Sequence, residues 1–479
     1  MRATSEKQND ISPTGTQHPD RDGKIVILGG GPAGLATAYK LSQAGKEPIL
    51  LERSPKAGGL MRGIVRNGFS VDLGRKEIYE RIPEVTALWE ELLNDNFVSY
   101  PHRVGLLHGG NIIEYSGSFR GPLRGIPMPL LAKALFDLLR SKIGAIGSSP
   151  PQTYEERWHR SWGVTLSRIL SQGFSEKFYG TLWKDLPADF TLRKSDLVER
   201  KSGVQAGIRS IWKKLRTDAS EGKRWRHPRC GTQQLVDGLV ENIQALGGTI
   251  RVQAQVSALE KEGNLVTHVI LEDGERIPVS QVISAVPVSI LSSLLGNDEG
   301  LTSKVDRNRD RETILLYLFL DSPTGLEHAW INVSCPDLKV GRITNYEAFG
   351  GEMVPEGKGC LAVTIFVHPG DELIRESDEA IEELIISEMT SSGILDRSTI
   401  EDRLLIRIPG AEASNEYQTW ETDPAIALQE KIRSYENVYD VNRAGIDVAL
   451  FAGIKAAEAV TTGSRTSFDE DAAPERALI

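Results

Sequence analysis

An apolar pentapeptide followed at once by a glycine cluster constrains this chain more than any other feature. Lys24–Leu28 is almost continuously apolar, as expected for a strand buried on both faces of a parallel sheet. Residues 32–44 then carry apolar side chains at helical spacing, and Gly45 is placed to end that helix. Residues 48–51 read as a second strand. The segment therefore predicts a strand–helix–strand unit with a glycine turn between its first two elements.

The glycines of that turn have the spacing of a dinucleotide-binding loop. Gly29 permits a tight turn, Gly31 lets the backbone approach a diphosphate, and Gly34 lets the helix pack closely on the strand. The helix start at Pro32 and Ala33 offers amide groups and the positive end of the helix dipole. We therefore predict that these five residues bind a dinucleotide.

An acidic residue, Glu52, directly follows the second predicted strand. Its carboxylate is placed to accept hydrogen bonds from a ribose diol, and it disfavours a 2′-phosphate. FAD or NAD is therefore favoured over NADP. The sequence shows no second glycine turn after a strand, which a built-in NAD(P)H domain would need.

The residues after Glu52 resemble a flavin motif. The string from Glu52 to Leu60 is similar to the second flavin fingerprint of the amine oxidase, protoporphyrinogen oxidase and phytoene desaturase superfamily, and UDP-galactopyranose mutases are similar in the same region. The resemblance implies FAD, held noncovalently, because all three cysteines precede residue 361. It implies FAD contacts in this region at Glu52, Arg53, Gly58, Gly59, Leu60, Met61 and Arg62.

Later segments resemble the same superfamily in the same order. Residues 67–74 are similar to its flavin-proximal Gly-Phe-x-x-Asp-x-Gly segment, and residues 453–457 are similar to its final Gly-x-x-Ala-Ala helix. Val256 stands where a backbone usually meets the adenine. The further FAD contacts implied are Gly74, Val256, Asn442, Arg443 and Asp447.

Two positions depart from the superfamily pattern. Asn442-Arg443 replaces the usual Gly-Arg or Gly-Glu pair, although Arg443 can still contact a phosphate. Lys76 replaces a histidine that relatives often place beside the flavin. We therefore expect Arg75 or Lys76 to face the isoalloxazine or the substrate, with a solvated basic turn as the alternative. Tyr417, where relatives often place an aromatic residue over the substrate, is the third candidate catalytic residue.

The predicted fold class is α/β, with a discontinuous Rossmann-type FAD-binding domain and a mixed α+β substrate-binding domain. The FAD-binding domain is predicted to combine residues 23–100, 228–290 and 425–462. The substrate domain is predicted to combine residues 101–227 and 291–424. The two ends, polar and acidic respectively, are predicted to be disordered tails over residues 1–22 and 463–479.

Composition excludes several classes of function. A net charge of -10 argues against a broad nucleic-acid-binding surface. The three cysteines and eight histidines show no metal-binding spacing, so no metal site is predicted and a reducing cytoplasm is the expected location.

Lone histidines such as His227 are expected to be structural or surface residues, with a general base as the alternative. Membrane association is not favoured, because the apolar helix within residues 122–147 fits a packed helix of the substrate domain better than a membrane-facing entrance.

The sequence thus favours an FAD-dependent oxidase or dehydrogenase that oxidises a small organic metabolite, in specialised or glycan biosynthesis. Aromatic and basic residues over 154–229 suggest an anionic or ring-bearing substrate. The electron acceptor would be O2 or another oxidant. Two alternatives stay open: a redox-neutral, flavin-dependent nucleotide-sugar mutase, and a flavin-binding protein without turnover. The sequence does not predict an oligomeric state.

Overall fold

The computed structural model describes most of the chain between Gly23 and Phe468. The described residues are 23–76, 78, 80–101, 103–114, 126–145, 148–190, 224–296, 312–409, 424–466 and 468. The strands in that part are β1 (Lys24–Leu28), β2 (Ile49–Leu51), β3 (Gly63–Arg66), β4 (Phe69–Asp72), β5 (Phe97–Pro101), β6 (Val104–His108), β7 (Asn111–Glu114), β8 (Arg224–Pro228), β9 (Thr249–Arg251), β10 (Val256–Glu262), β11 (Leu265–Leu271), β12 (Arg276–Ser284), β13 (Glu312–Leu320), β14 (Trp330–Val333), β15 (Arg342–Asn345), β16 (Gly359–Val367), β17 (Ile400–Pro409) and β18 (Val438–Asp440). The α-helices are α1 (Pro32–Gln43), α2 (Pro83–Leu93), α3 (Met128–Gly144), α4 (Tyr154–Trp162), α5 (Val164–Ser167), α6 (Gly173–Tyr179), α7 (Gln233–Ala245), α8 (Val288–Leu294), α9 (Asp378–Ser391), α10 (Pro424–Arg433) and α11 (Ile446–Thr462).

One sheet is parallel at its centre, in the order β9-β2-β1-β12-β18. The first half of β12 also pairs with the antiparallel hairpin β10–β11, which extends the sheet on one side. Helices cover one face of the central strands, and β10–β11, α8 and α10 cover the other. Both faces are therefore buried, which fits the apolar sequences of these strands. The sheet therefore draws its strands from three separate parts of the chain. The boundaries given above for the domains stay predictions.

Helices α1 and α11 lie in contact on one face of this sheet. A Cβ built on Gly453 of α11 would lie 2.3 Å from the carbonyl oxygen of Ala33, so only glycine allows this approach. The Thr37 hydroxyl donates to the Gly453 carbonyl at 3.1 Å. This contact fixes α11 against α1, the helix that follows the glycine turn.

A second sheet has the order β17-β13-β16-β15-β14-β6-β7 and is antiparallel except where β14 meets β6. Helix α9 covers one face of it, against the side chains of Ile314, Leu316 and their neighbours. The other face carries Leu315, Tyr317 and Trp330 and packs against the β3–β4 hairpin. Residues 312–370 alternate apolar and polar residues, a pattern that predicts several antiparallel strands, and the structure has β13 to β16 in this range. The α/β fold class is confirmed.

A turn set by two neighbouring residues could be predicted from the sequence, whereas the pairing of distant strands could not. The pair Asn67-Gly68 is typical of a hairpin turn, and at φ 50° and 85° these residues form the turn between β3 and β4. The sequence pattern over residues 151–226 predicts helix throughout; α4 to α6 agree over residues 154–179, but β8 begins at Arg224 and pairs with β5. Phe468, inside the predicted acidic tail, is buried against Tyr439, so that part of the tail is packed. Within the described residues, no helix is both long enough and apolar enough to cross a membrane.

Candidate cofactor and substrate site

The glycine turn joins β1 to α1 in a conformation that requires two of its glycines. Gly29 has φ +92° and donates its N–H to the Leu51 carbonyl at 2.8 Å, which ties the turn to β2. A Cβ on Gly34 would lie 2.0 Å from the Gly29 carbonyl oxygen, so helix and strand can approach this closely only without a side chain. A Cβ on Gly31, by contrast, would meet nothing within 4 Å. The space beside Gly31 is therefore open.

The start of α1 faces that open space with amide groups. Pro32 is the first helical residue, and the first intrahelical bond runs from Leu35 N–H to the Gly31 carbonyl at 3.0 Å. The N–H groups of Ala33 and Gly34 precede that bond and have no acceptor within the helix. No side chain among the described residues caps this helix end. An anion at this position would meet free donors and the positive end of the dipole, so the residues present fit a diphosphate.

Glu52 lies directly beside the turn and holds it in shape. One carboxylate oxygen accepts the Gly30 N–H at 2.7 Å. The other accepts the Ser54 N–H at 2.8 Å and the Ser54 hydroxyl at 2.6 Å. Since a carboxylate oxygen has two lone pairs, the oxygen bound to Gly30 can still accept from a ribose hydroxyl. The turn-holding role is one that the sequence did not suggest.

The second glycine pair lies against the first. Gly58 has φ +118°, and its N–H donates to the Gly30 carbonyl at 2.6 Å. Gly59 has φ +54°, and a Cβ there would lie 3.0 Å from the Gly31 Cα. The glycine turn and the flavin motif that follows Glu52 are thus in direct contact and form one surface.

The side chains that flank the second pair point in different directions. Arg53 is exposed, and Leu60, which directly follows Gly59, is 40% exposed. Met61 is fully buried, which makes it a support of the loop. The Arg62 Nε donates to the Gly59 carbonyl at 3.0 Å. Among these residues, contacts to a bound group would come from the backbone or from the exposed side chains.

Two buried tyrosines position the segment that leads to the predicted catalytic residues. The Gly74 N–H donates to the Tyr317 hydroxyl at 2.7 Å, and that hydroxyl donates to the Asp72 carbonyl at 2.7 Å. The Tyr346 hydroxyl lies 2.7 Å from the Asp72 carbonyl and 3.0 Å from the Gly74 carbonyl. Burial raises the pKa of both phenols, so they remain protonated donors. The backbone at Gly74 is thereby fixed above the second sheet.

The Asp72 carboxylate is fully buried and accepts hydrogen bonds from two directions. One oxygen accepts the Thr232 N–H at 2.7 Å and the Thr232 hydroxyl at 2.9 Å. The other lies 2.8 Å from Nε2 of the buried His227. Burial acts to raise the pKa of Asp72, but the charge and hydrogen bond of His227 and the two Thr232 donors hold it below its usual value. This network joins β4 to the start of α7.

The candidate catalytic residues Arg75 and Lys76 follow Gly74 directly and are half-buried. The guanidinium carbon of Arg75 lies 4.7 Å from the centre of the Trp330 ring, a cation–π distance. Arg75 is therefore packed on the second sheet. Tyr417, the third candidate, lies outside the described residues.

The last predicted segment follows β18. The Asn442 side-chain amide donates to the Ala285 carbonyl at 3.3 Å, which ties it to the end of β12. The Arg443 guanidinium donates to the Asn442 carbonyl at 2.8 Å and lies 3.5 Å from the Asp440 carboxylate. Burial raises the pKa of that carboxyl although Arg443 opposes it. A contact from Arg443 to a phosphate would therefore compete with Asp440.

The two remaining predicted FAD contacts are Val256 and Asp447. Val256 begins β10, close to where the Ala254 N–H donates to the Glu52 carbonyl at 2.9 Å. Asp447 is buried in the first turn of α11, 4.0 Å from the Arg81 Nε. The structure thus places Val256 near the predicted ribose acceptor and Asp447 beside the loop that follows the candidate catalytic residues.

A second guanidinium lies on the same sheet as Trp330, and sequence reasoning missed it. Arg342 of β15 lies 5.3 Å from the centre of the Phe174 ring and 5.6 Å from that of Phe366. Its Nε donates to the Asn332 side-chain oxygen at 3.3 Å. No local signal marked this arginine, because its neighbours come from β14, β16 and α6.

Arg75 and Arg342 stand over neighbouring rows of one sheet face. Trp330 pairs with Thr344, and Asn332 pairs with Arg342. Residues two apart on a strand share a face and lie roughly 7 Å apart along it. The face therefore carries two guanidinium groups on adjacent rows, each against an aromatic ring.

Comparison with known proteins agrees with this geometry. The chain matches the family described as flavin containing amine oxidoreductase over residues 32–461. It is 26% identical over 294 residues to the phytoene desaturase (lycopene-forming) of Pantoea ananas, covering 55% of each chain. It is 26% identical over 296 residues to the protoporphyrinogen oxidase of Bos taurus, covering 57% of this chain and 61% of that protein. The chain thus matches little more than half the length of these curated relatives.

Solved structures show the same fold over almost the whole chain. A reduced UDP-galactopyranose mutase matches with a TM-score of 0.75 and 17% identity, covering 94% of this chain and 98% of its own. A putrescine oxidase matches with a TM-score of 0.56 and 15% identity, covering 92% of this chain and 99% of its own. The resemblance seen in the sequence is therefore confirmed: the chain belongs to the flavin-containing amine oxidoreductase family, and FAD is its cofactor.

Proposed function

We propose that this chain is an FAD-dependent oxidase or dehydrogenase whose substrate is a small organic molecule bearing an anionic group or a ring. The family and the curated desaturase and oxidase relatives support oxidation. The observation that carries the substrate class is the pair Arg75 and Arg342 on one sheet face, each beside an aromatic ring. We assign the reaction to specialised or glycan biosynthesis.

The residues that would hold FAD follow one path through the fold. The amides of Ala33 and Gly34 would bind the diphosphate, and Glu52 would bind the ribose. The Gly58–Arg62 segment and the exposed Arg53 would line the part of the cofactor between the diphosphate and Gly74. Contacts at the ends would come from Val256, Asn442, Arg443 and Asp447. Bound FAD supplies the electron-accepting chemistry.

The protein's own contribution would be charge and orientation. A guanidinium fork binds a carboxylate or phosphate through two parallel hydrogen bonds, and its plane stacks on rings. The Arg342 guanidinium already lies beside the rings of Phe174 and Phe366, so it would orient a planar anion. Arg75 and Lys76 would place positive charge between that anion and the flavin. Such positioning lowers the entropic part of the barrier to reaction.

Anaerobic flavin reduction tests this proposal. The purified protein would be mixed with amines, alcohols and unsaturated acids, with and without anionic groups, while the visible absorbance of the flavin is followed. We expect bleaching by an anionic, ring-bearing compound and recovery when O2 or a dye acceptor is added. Arg342→Leu should raise KM by about tenfold or more, with an unchanged flavin spectrum.

The matched control is Arg397→Leu, which removes an exposed arginine that pairs with Glu383 away from this sheet face. It should leave KM unchanged. Equal reduction of wild type and Arg342→Leu, with neutral compounds preferred by both, would contradict the assigned substrate class.

A redox-neutral nucleotide-sugar mutase is the second candidate. The fold match to a UDP-galactopyranose mutase favours it, and two guanidinium groups on adjacent rows would also fit a diphosphate. Turnover that requires pre-reduced flavin and shows no net redox change would support the mutase, whereas O2 consumption would support the oxidase. A yellow protein whose flavin is reduced by no compound would instead support flavin binding without turnover.

A further inference from the structure

Helix α3 exposes a set of large apolar side chains, which we call the α3 stripe. Its members are Met128 at 75% exposure, Leu135 at 48%, Phe136 at 64%, Leu139 at 64% and Ile143 at 69%. Elsewhere in the described part of the chain, exposed large apolar side chains are scattered singly, as is normal for a protein surface. A contiguous patch of this kind marks an interaction site.

The opposite side of α3 is firmly packed, so the stripe is not a consequence of a misplaced helix. Ala134 is fully buried, and the Asp137 carboxylate accepts the Thr165 hydroxyl at 2.5 Å. A Cβ on Gly163 would lie 2.7 Å from the Leu138 amide nitrogen, which shows how closely the next segment approaches. The sequence favoured an ordinary helix packed in the substrate domain. In the structure one side of α3 is packed and the side that carries the stripe is exposed.

Positive charges border the stripe on both sides. At about 100° per residue, the five apolar side chains fall within an arc roughly 100° wide. Lys133 and Arg140 lie along one edge of that arc, Lys142 lies along the other, and all three are exposed. The whole chain carries a net charge of -10, so this basic and apolar surface stands out from the rest of the protein. An apolar stripe between cationic edges is the pattern of a helix that lies in a membrane interface.

We propose that α3 docks this protein on a membrane surface that contains anionic lipids. The α3 stripe enters the acyl chains, while Lys133, Arg140 and Lys142 reach the phosphate groups. The stripe extends about 22 Å along the helix, which suits a helix lying in the plane of the membrane. A second copy of the chain fits less well, because pairing two such faces would bring like charges together. This inference does not depend on the proposed reaction.

Vesicle flotation of the full-length, FAD-loaded protein tests the inference. We expect the protein to float with vesicles that contain about 30% phosphatidylserine, and to float less when salt shortens the screening length. Phe136→Glu combined with Leu139→Glu should lower the bound fraction by at least about tenfold. Lys133→Glu combined with Arg140→Glu should reduce binding to the level seen with pure phosphatidylcholine. Flavin absorbance and thermal unfolding would show that each variant is folded.

The matched control is Val65→Glu, which places the same charge at an isolated apolar residue that is 76% exposed on β3. It should float like wild type. The inference is overturned if wild type fails to float with anionic vesicles, or if the stripe variant floats equally well. It is also overturned if wild type is a dimer that ignores vesicles and the stripe variant is a monomer, since the stripe would then bind a second copy.

Discussion

A methyl group added at Gly31 would separate the folding role of the glycine turn from its binding role. A Cβ at this position meets no protein atom within 4 Å, and φ −74° with ψ −176° is open to alanine. Gly31→Ala should therefore fold as stably as wild type. If a diphosphate lies against the start of α1, however, the same methyl group occupies part of the space that the phosphate oxygens need.

The size of the effect follows from the hydrogen bonds at the helix start. We expect the methyl group to displace the diphosphate by roughly 1 Å from the amides of Ala33 and Gly34, which weakens the charge-assisted bonds they would make. Losing one such bond costs about 1.5–3 kcal/mol. That cost corresponds to an increase of about 10- to 150-fold in the Kd for FAD.

The assay is a calorimetric titration of apoprotein with FAD, alongside thermal unfolding of each apoprotein. Gly144→Ala is the matched control, because a Cβ there also meets nothing within 4 Å but lies at the end of α3; it should leave the Kd for FAD unchanged and should not lower the unfolding temperature. Gly34→Ala, whose Cβ would lie 2.0 Å from the Gly29 carbonyl oxygen, should lower both stability and affinity. A wild-type Kd for Gly31→Ala would refute the placement of the diphosphate.

Three further predictions concern single side chains of the site. Glu52→Gln should lower the free energy of unfolding by about 1–2 kcal/mol, because one acceptor oxygen facing the turn is replaced by a donor; chemical denaturation measures this, and unchanged stability would contradict the turn-holding role. Asp72→Asn should cost about 3 kcal/mol, because it breaks the buried pair with His227. Because the pKa of Asp72 is lowered in the folded protein, its stabilising contribution is complete above the ordinary carboxyl pKa and is lost as the pH falls toward the folded value. The free energy of unfolding of wild type should therefore fall more steeply with falling pH than that of Asp72→Asn, and equal slopes would argue against an ionised Asp72. Lys76→Met should alter the flavin spectrum or the turnover rate, and a variant that alters neither would show that Lys76 does not border the flavin or the substrate.

The parts of the fold that could be predicted depend on few consecutive residues. The strand, glycine turn and helix at residues 24–43 follow from a buried strand pattern and three glycines. The turn at Asn67 and Gly68 follows from residues that tolerate positive φ. Ser377 precedes an amphipathic stretch, a position typical of an N-cap, and it caps α9 by accepting the Ala380 N–H at 3.3 Å.

The parts that could not be predicted depend on register between distant strands. Asp72 and His227 are 155 residues apart, and neither carries a local sign of the other. Alternation along β13–β16 predicts which side chains share a face, but not which rows meet across the sheet. Arg342 therefore could not be placed near Arg75 from sequence, because that proximity depends on the pairing of β14 with β15.

Identification of the bound pigment tests the central claim most directly. The purified protein would be scanned for visible absorbance, incubated with excess FAD if pale, and then denatured so that any released flavin can be separated and identified. We predict a yellow protein that releases intact FAD, about one per chain, and leaves no colour on the polypeptide. A colourless protein that takes up no FAD, or a flavin that stays attached after denaturation, would contradict the noncovalent dinucleotide site at the start of α1.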